Sequence, residues 1–357
     1  MDTRAQEVHA ILYVNPDGRE LSETYPDSYW RKNLNPEGCG NGVDLNRNLD
    51  FKWGDRNGSS NDPCANDYHG SSANSEPETQ AVVEYAKKIF PEDQRKDNPE
   101  KEMNNAFGED ITGVYIDIHA SGGYIYYPWG HRNAKSPDNE ALEALGRKIN
   151  SFNGYKLWAG GQPDFLYEAS GDFSDYMYGV LGAASFGYEI GDDFKQDCAR
   201  FEDEVVPINI PSLIYAAKLA KIPFKNVKGP DVLQMRVRSL NGRIRVIARA
   251  SDSKMVNSIQ GFPNHSSGNQ IIKAVHLYLD VHPDDYQEGR DKKWEMEVTD
   301  DNWDTNTETV RSTISTKGLS PGRHTVYVQA IDSRSYKGPV SSVFVDIQQN
   351  SNLRGGH

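Results

Sequence analysis

The sequence predicts an α/β layer followed by an all-β sandwich, and two observations carry that prediction. Up to Ile222, short apolar strand-like runs alternate with helix-periodic segments, the pattern of helices packed on a sheet. Beyond Gly229, strand-like runs follow one another without helices and are separated by Asn-Gly and Pro-Gly turns. The expected units are residues 1–222 and 230–349, joined by a linker at 223–229.

A first strand is expected at residues 8–14 (VHAILYV), ending at Asn15-Pro16-Asp17-Gly18. Residues 21–75 are dominated by Asn, Gly, Ser, Asp and Pro, too long and polar for an ordinary connection, and long loops of this kind are usually functional. Ser75 reads as a helix cap, with acidic residues in the first turn and an apolar face through Val82, Val83, Tyr85, Ala86 and Ile89. A strand follows at 114–119, a helix at 136–149, a buried strand at 184–190 and a closing helix at 206–220. In the second unit, strands are expected at 233–237, 244–250, 271–279, 310–314, 324–331 and 343–347. There is no internal repeat.

The composition is that of a folded chain: 36% hydrophobic residues, 25% charged, with 19 Tyr, 12 Phe and 6 Trp. A formal net charge of -13 argues against nucleic acid or an anionic membrane as the main partner, since both repel an acidic surface. No apolar run approaches the roughly 20 residues that cross a bilayer, and the opening residues MDTRAQEV lack the basic and apolar segments of a signal peptide. Three cysteines, Cys39, Cys64 and Cys198, allow one disulfide at most. Cys39 and Cys64 flank a Gly- and Asn-rich stretch that a crosslink would constrain, and two unpaired thiols fit the spacing equally well.

Several residues stand out chemically. Asn46 and Arg47, in GVDLNRN, place a guanidinium fork beside an amide, a pair suited to holding a carboxylate, although an Arg on a polar loop is more often solvated. Arg31, in WRKN, supplies a second cation. His119 closes an apolar strand, where open α/β sheets place their sites. Glu189 sits in the apolar run FGYEI, and an acid there must be paired, shifted in pKa or functional.

Seven strings in order make these signals one pattern: NPDG at 15–18, WRKN at 30–33, GVDLNRN at 42–48, SEPET at 75–79, IDIHASGG at 116–123, YEASGDFSDY at 167–176 and FGYEIGD at 186–192. In these the chain resembles the zinc metallocarboxypeptidases, the pancreatic carboxypeptidase type and especially their secreted bacterial relatives. The resemblance implies a mixed sheet flanked by helices. It makes His119 a zinc ligand, Glu189 the general base and Arg31 the oxyanion stabiliser. Asn46, Arg47 and Tyr167 would grip the C-terminal carboxylate of a peptide, with Tyr167 on a mobile loop. Asp172, Ser174 and Asp175 fall at the side-chain pocket, where Asp172 would attract Lys or Arg, giving a mixed apolar and basic preference. Alternatively, Asp172 merely caps a turn. Cys39 and Cys64 match a family disulfide. The implied cofactor is one zinc ion, the partners are peptide or protein C-termini, and the protein is expected to be an extracellular monomer.

One departure matters. The resemblance assigns the other two zinc ligands to an HxxE motif upstream of NPDG, and none of the nine histidines here has Glu three positions later. Asp44, which would orient one of those ligands, is left without it. Zinc cannot be held by His119 alone, so this chain is expected to be inactive as given. It reads as an N-terminally incomplete form of a competent enzyme, because Glu189 and Arg31 have no evident purpose in a pure binder. The alternatives are a non-catalytic binder of peptide C-termini and a surface-anchoring role for the sandwich.

Overall fold

The computed structural model describes residues 7–25, 29–36, 39, 42–55, 58–162, 167–253 and 270–348. The chain divides into two compact units, one spanning His9–Phe224 and one holding Lys225–His357. The opening residues 1–6, part of the stretch read above for a leader, lie outside the described residues.

The first unit is built on a mixed four-stranded sheet in the order β1-β4-β2-β3. Strand β1 (Val114–His119) runs parallel to β4 (Ala184–Glu189), which pairs antiparallel with β2 (Tyr124–Tyr127), itself parallel to β3 (Lys156–Ala159). The central β4 is buried along its length except at Glu189, as expected of a strand paired on both edges. Gly187 is required there, because a Cβ would lie 1.9 Å from the Tyr126 ring on the neighbouring strand.

Helices α1 (Pro16–Thr24), α2 (Pro77–Ile89), α3 (Pro99–Glu102), α4 (Asn139–Asn153), α5 (Phe173–Gly179), α6 (Cys198–Arg200) and α7 (Val206–Leu219) belong to the same unit. In α4, Leu142, Leu145 and Ile149 are fully buried, and Gly154 closes the helix in the left-handed conformation. A further short helix, Pro223–Asn226, occupies part of the expected linker.

Three expectations fail here for physical reasons. Residues 8–14 form no strand: Val8, Leu12 and Tyr13 are exposed, and no described strand pairs with the segment, so β propensity alone does not order it. The NPDG string opens a helix instead of merely ending a strand, with the Asn15 side chain accepting from the Gly18 amide and Pro16 at the first helical position. The cap of α2 is Glu76, not Ser75, whose hydroxyl donates to Glu76 Oε1.

The second unit holds two antiparallel four-stranded sheets. One, ordered β5-β6-β10-β9, contains β5 (Asp231–Leu240), β6 (Arg243–Ser251), β9 (Glu297–Val298) and β10 (Thr307–Ser315). The other, ordered β12-β11-β7-β8, contains β7 (Ile272–Leu279), β8 (Lys293–Glu295), β11 (Gly322–Asp332) and β12 (Ser341–Ile347). Alternate residues of both sheets, among them Val246, Val310, Leu277 and Val328, form one apolar core. The β5–β6 hairpin turns on Asn241 and Gly242, both with positive φ (51° and 72°), as a tight two-residue hairpin demands.

Candidate active site

The ends of β1 and β4 place His119 and Glu189 side by side, because the parallel register pairs these two residues. Opposite them, the loop before α2 is folded back and held by its own polar groups. Asp44 caps the short 3-10 turn Leu45–Arg47 by accepting from the Asn46 amide at 3.1 Å, and its other oxygen accepts from Arg31 Nε at 2.7 Å. Asn46 Oδ1 in turn accepts from the Phe173 amide at 2.9 Å, fastening this turn to the start of α5. The Leu49 amide donates to Gly171 O at 3.1 Å, and a Cβ on Gly171 would strike the Arg47 carbonyl. These contacts bring Asp172 and Arg47 to the same wall.

The result is an open cleft of about 690 Å³, counting the part open to solvent, lined by Arg31, Asn46, Arg47, His119, Tyr167, Asp172 and Glu189 together with aromatic residues such as Tyr124, Trp129 and Trp158. The polar groups converge within a largely aromatic wall, the usual constitution of a small-ligand site.

The electrostatics follow from burial and mutual proximity. Burial raises the Glu189 carboxyl above its ordinary range, and the neighbouring His119 and Arg31 only partly offset this. Burial works against a charged His119, but Asp117, whose Oδ2 lies 2.8 Å from its Nε2, raises it, with Glu189 adding to the effect. The same ring nitrogen lies 3.2 Å from Asn46 Nδ2. For Arg31, burial is outweighed by the charge of Asp44 and the hydrogen bond to it, so its pKa is raised. Burial, with Glu189 and Tyr167 nearby, pushes the Tyr124 phenol up to about 12.

Arg47 is 7% exposed; its Nη1 donates to the Asn46 carbonyl at 2.6 Å, and its Nε has no hydrogen-bond partner among the described residues. Tyr167 is 61% exposed at the mouth of the cleft. Asp172 caps α5, its Oδ1 accepting from the Asp175 amide at 2.9 Å, while Oδ2 is buried without a partner among the described residues. Burial and the nearby Asp175 drive the Asp172 pKa well up, against the pull of the Asp175 amide and Arg47.

The structure separates Asp172 from the other two pocket candidates, which do not line the cleft. Ser174 Oγ meets Ser185 Oγ at 3.0 Å in the interior. Asp175 accepts from the Gly130 and His131 amides and from His131 Nδ1, the last at 2.6 Å. Sequence reasoning missed the aromatic lining, most of which comes from the four-residue strands β2 and β3, too short to show a period of two, with Trp129 just beyond β2. Cys39 and Cys64 are joined in a disulfide with Cα atoms 5.4 Å apart, and Cys198 is free and exposed.

A family model described as zinc carboxypeptidase matches residues 4–207, more than half of the chain. The chain belongs to the zinc carboxypeptidase family. It is 31% identical to zinc carboxypeptidase A 1 of Anopheles gambiae over 50% of this chain and 38% of the relative. It is 28% identical to human carboxypeptidase A1 over 55% of this chain and 43% of the relative. The chain therefore spans about two-fifths of the length of these relatives. The solved structure of bovine thrombin-activatable fibrinolysis inhibitor in complex with tick carboxypeptidase inhibitor aligns at 25% identity with a TM-score of 0.46, covering 60% of this chain and 68% of that one.

Membership of the zinc carboxypeptidase family implies zinc as cofactor. The described residues do not form a ligand set for it. Zinc needs three protein donors at a catalytic centre, and among the described residues His119, with Asp117 beside it, belongs to no set of three converging donors. The one such cluster among the described residues is Cys39, Asp62 and Cys64, and its two sulfurs are bonded to each other.

Proposed function

We propose that the cleft receives the C-terminal residue of a peptide or protein, as the substrate-binding half of a metallocarboxypeptidase site. The observation that carries this is the convergence of Asn46, Arg47, Tyr167, Glu189, His119 and Arg31 on one cleft. A guanidinium held by its own loop, with an orphaned N–H and an amide beside it, is a ready acceptor for a terminal carboxylate. Tyr167, exposed at the mouth, would close over the bound residue. Arg31, fixed by Asp44, would stabilise negative charge developing on the carbonyl oxygen of the last peptide bond. Glu189, kept basic enough by burial to accept a proton, would serve as general base.

The preference we assign is mixed. Aromatic walls take an apolar side chain, while the unpartnered Asp172 oxygen would receive Lys or Arg. In this reading the chain on its own hydrolyses nothing, because no three donors converge at His119 among the described residues. The binder of peptide C-termini is the same site without that chemistry, and the missing ligand set favours it for the isolated chain. We further propose that the two sheets of residues 230–349 form a β-sandwich, their shared core being the support, and that the protein is an extracellular monomer. None of the described helices is long and apolar enough to cross a membrane.

The test is metal content and C-terminal residue release measured on the purified chain, beside Glu189→Gln. The reading predicts no stoichiometric zinc and no release. Stoichiometric zinc with hydrolysis that depends on Glu189 would overturn it.

A further inference from the structure

The acidity of the chain is not evenly spread. Residues 225–357 carry 18 Lys and Arg against 15 Asp and Glu, so the whole negative excess lies before them. Within this second unit six of the 18 cations share one sheet face. Strands β5, β6 and β10 turn Arg236, Arg238, Arg243, Arg245, Arg249 and Arg311 outward, all exposed, while their alternate residues enter the core.

The register makes these a two-dimensional array. Arg238 stands directly opposite Arg245, Arg236 opposite Ile247, and Ile247 opposite Arg311. Along β6, Arg243 and Arg245 are separated by the roughly 7 Å of two strand residues. The acid that the four strands expose on this face is Glu297, 3.7 Å from Arg311. The other five arginines have no carboxylate partner among the described residues.

Like charges directly opposite on a sheet destabilise it, so the Arg238–Arg245 pair costs the fold something that a bound anion would relieve. The guanidinium forks suit planar or tetrahedral oxyanions. We infer that this face docks an acidic polysaccharide, a linear polymer bearing carboxylate or sulfate groups. A narrow chain can lie along the array, whereas an extended anionic surface meets a protein of net charge -13. The face exposes no aromatic side chain on which nucleobases would stack, and its apolar residues, Leu240 and Ile247, are too few to enter a bilayer.

The experiment uses the full chain with polygalacturonate and dextran sulfate as probes, neutral dextran as control, and vesicles of anionic phospholipid and duplex DNA as competitors. Binding to both charged polymers, weakened steeply by salt, is expected, with none to neutral dextran. The variant Arg238→Glu/Arg243→Glu/Arg245→Glu should bind at least tenfold more weakly, and Arg323→Glu on the opposite sheet should bind as the parent does. Thermal unfolding supplies a second readout: Arg245→Gln should melt at or above the parent temperature, and dextran sulfate should raise the midpoint of the parent but not of the triple variant. No binding, undiminished binding by the folded triple variant, or stronger binding to vesicles or DNA than to either polymer would overturn the assignment.

Discussion

Arg31 Nε donates to Asp44 Oδ2 at 2.7 Å, while Asp44 Oδ1 accepts from the Asn46 amide in the turn that carries Asn46 and Arg47. One carboxylate thus fixes both Arg31 and the Asn46–Arg47 turn. Asp44→Ala should release both, lowering stability by about 1 kcal/mol through the lost cap alone and weakening peptide binding beyond what that loss explains. Asp44→Asn retains the cap but loses the charge, so it should restore most of the stability and less of the binding. Thermal unfolding and calorimetric titration separate the two effects.

In the proposed function, carboxylate recognition turns on Arg47. Charge-assisted hydrogen bonds contribute roughly 1.5 to 3 kcal/mol each, so Arg47→Ala should weaken binding of a free-acid peptide about ten- to a hundredfold. Arg47→Lys should recover only part of it, since an ammonium cannot form the fork. A peptide amide should be nearly indifferent to both substitutions.

The buried Asp172 carboxyl has its pKa raised well above 3.8, first by burial and then by Asp175. A group with a raised folded pKa contributes stability that is fully present below its unfolded pKa and is lost as pH rises through the folded value. Asp172→Asn keeps an oxygen for the α5 cap and removes this titration. The difference in melting temperature, variant minus parent, should therefore grow as pH is raised from about 4 towards neutrality. The same variant should bind peptides ending in Lys or Arg more weakly, with little change for those ending in Leu.

The Cys39–Cys64 disulfide spans 25 positions and encloses Asp44, Asn46 and Arg47. Closing a loop of this size stabilises a fold by about 3 kcal/mol in the chain-entropy account. Cys39→Ser/Cys64→Ser should lower the denaturant midpoint accordingly and loosen the peptide site, whereas Cys198→Ser should change neither, because that thiol is exposed and free.

The sequence disclosed most where a local pattern and the final environment agree. Strand β4 is an apolar run buried in a sheet, β1 is an apolar run half-buried beside it, α2 is periodic, and α2 and α7 are both long, so all four are legible. The strand expected at residues 8–14 misled because apolar composition does not supply a pairing partner. Asn15-Pro16 is the α1 cap, and the same dipeptide equally suits the end of a strand. For the cleft, the motif strings name the polar groups, and the fold decides which of them face it. Ser174 and Asp175 are adjacent to Phe173 on α5, and the helix turns both towards the interior, leaving Asp172 at its start as the member that lines the wall.

The account rests on recognition of a free C-terminus, and one titration tests that most directly. A single peptide ending in an aromatic residue, prepared as the free acid and as the C-terminal amide, is titrated calorimetrically into the purified chain. The account predicts saturable binding of the acid and binding of the amide at least tenfold weaker. Equal affinity for the two forms, or no binding of the acid, would contradict it.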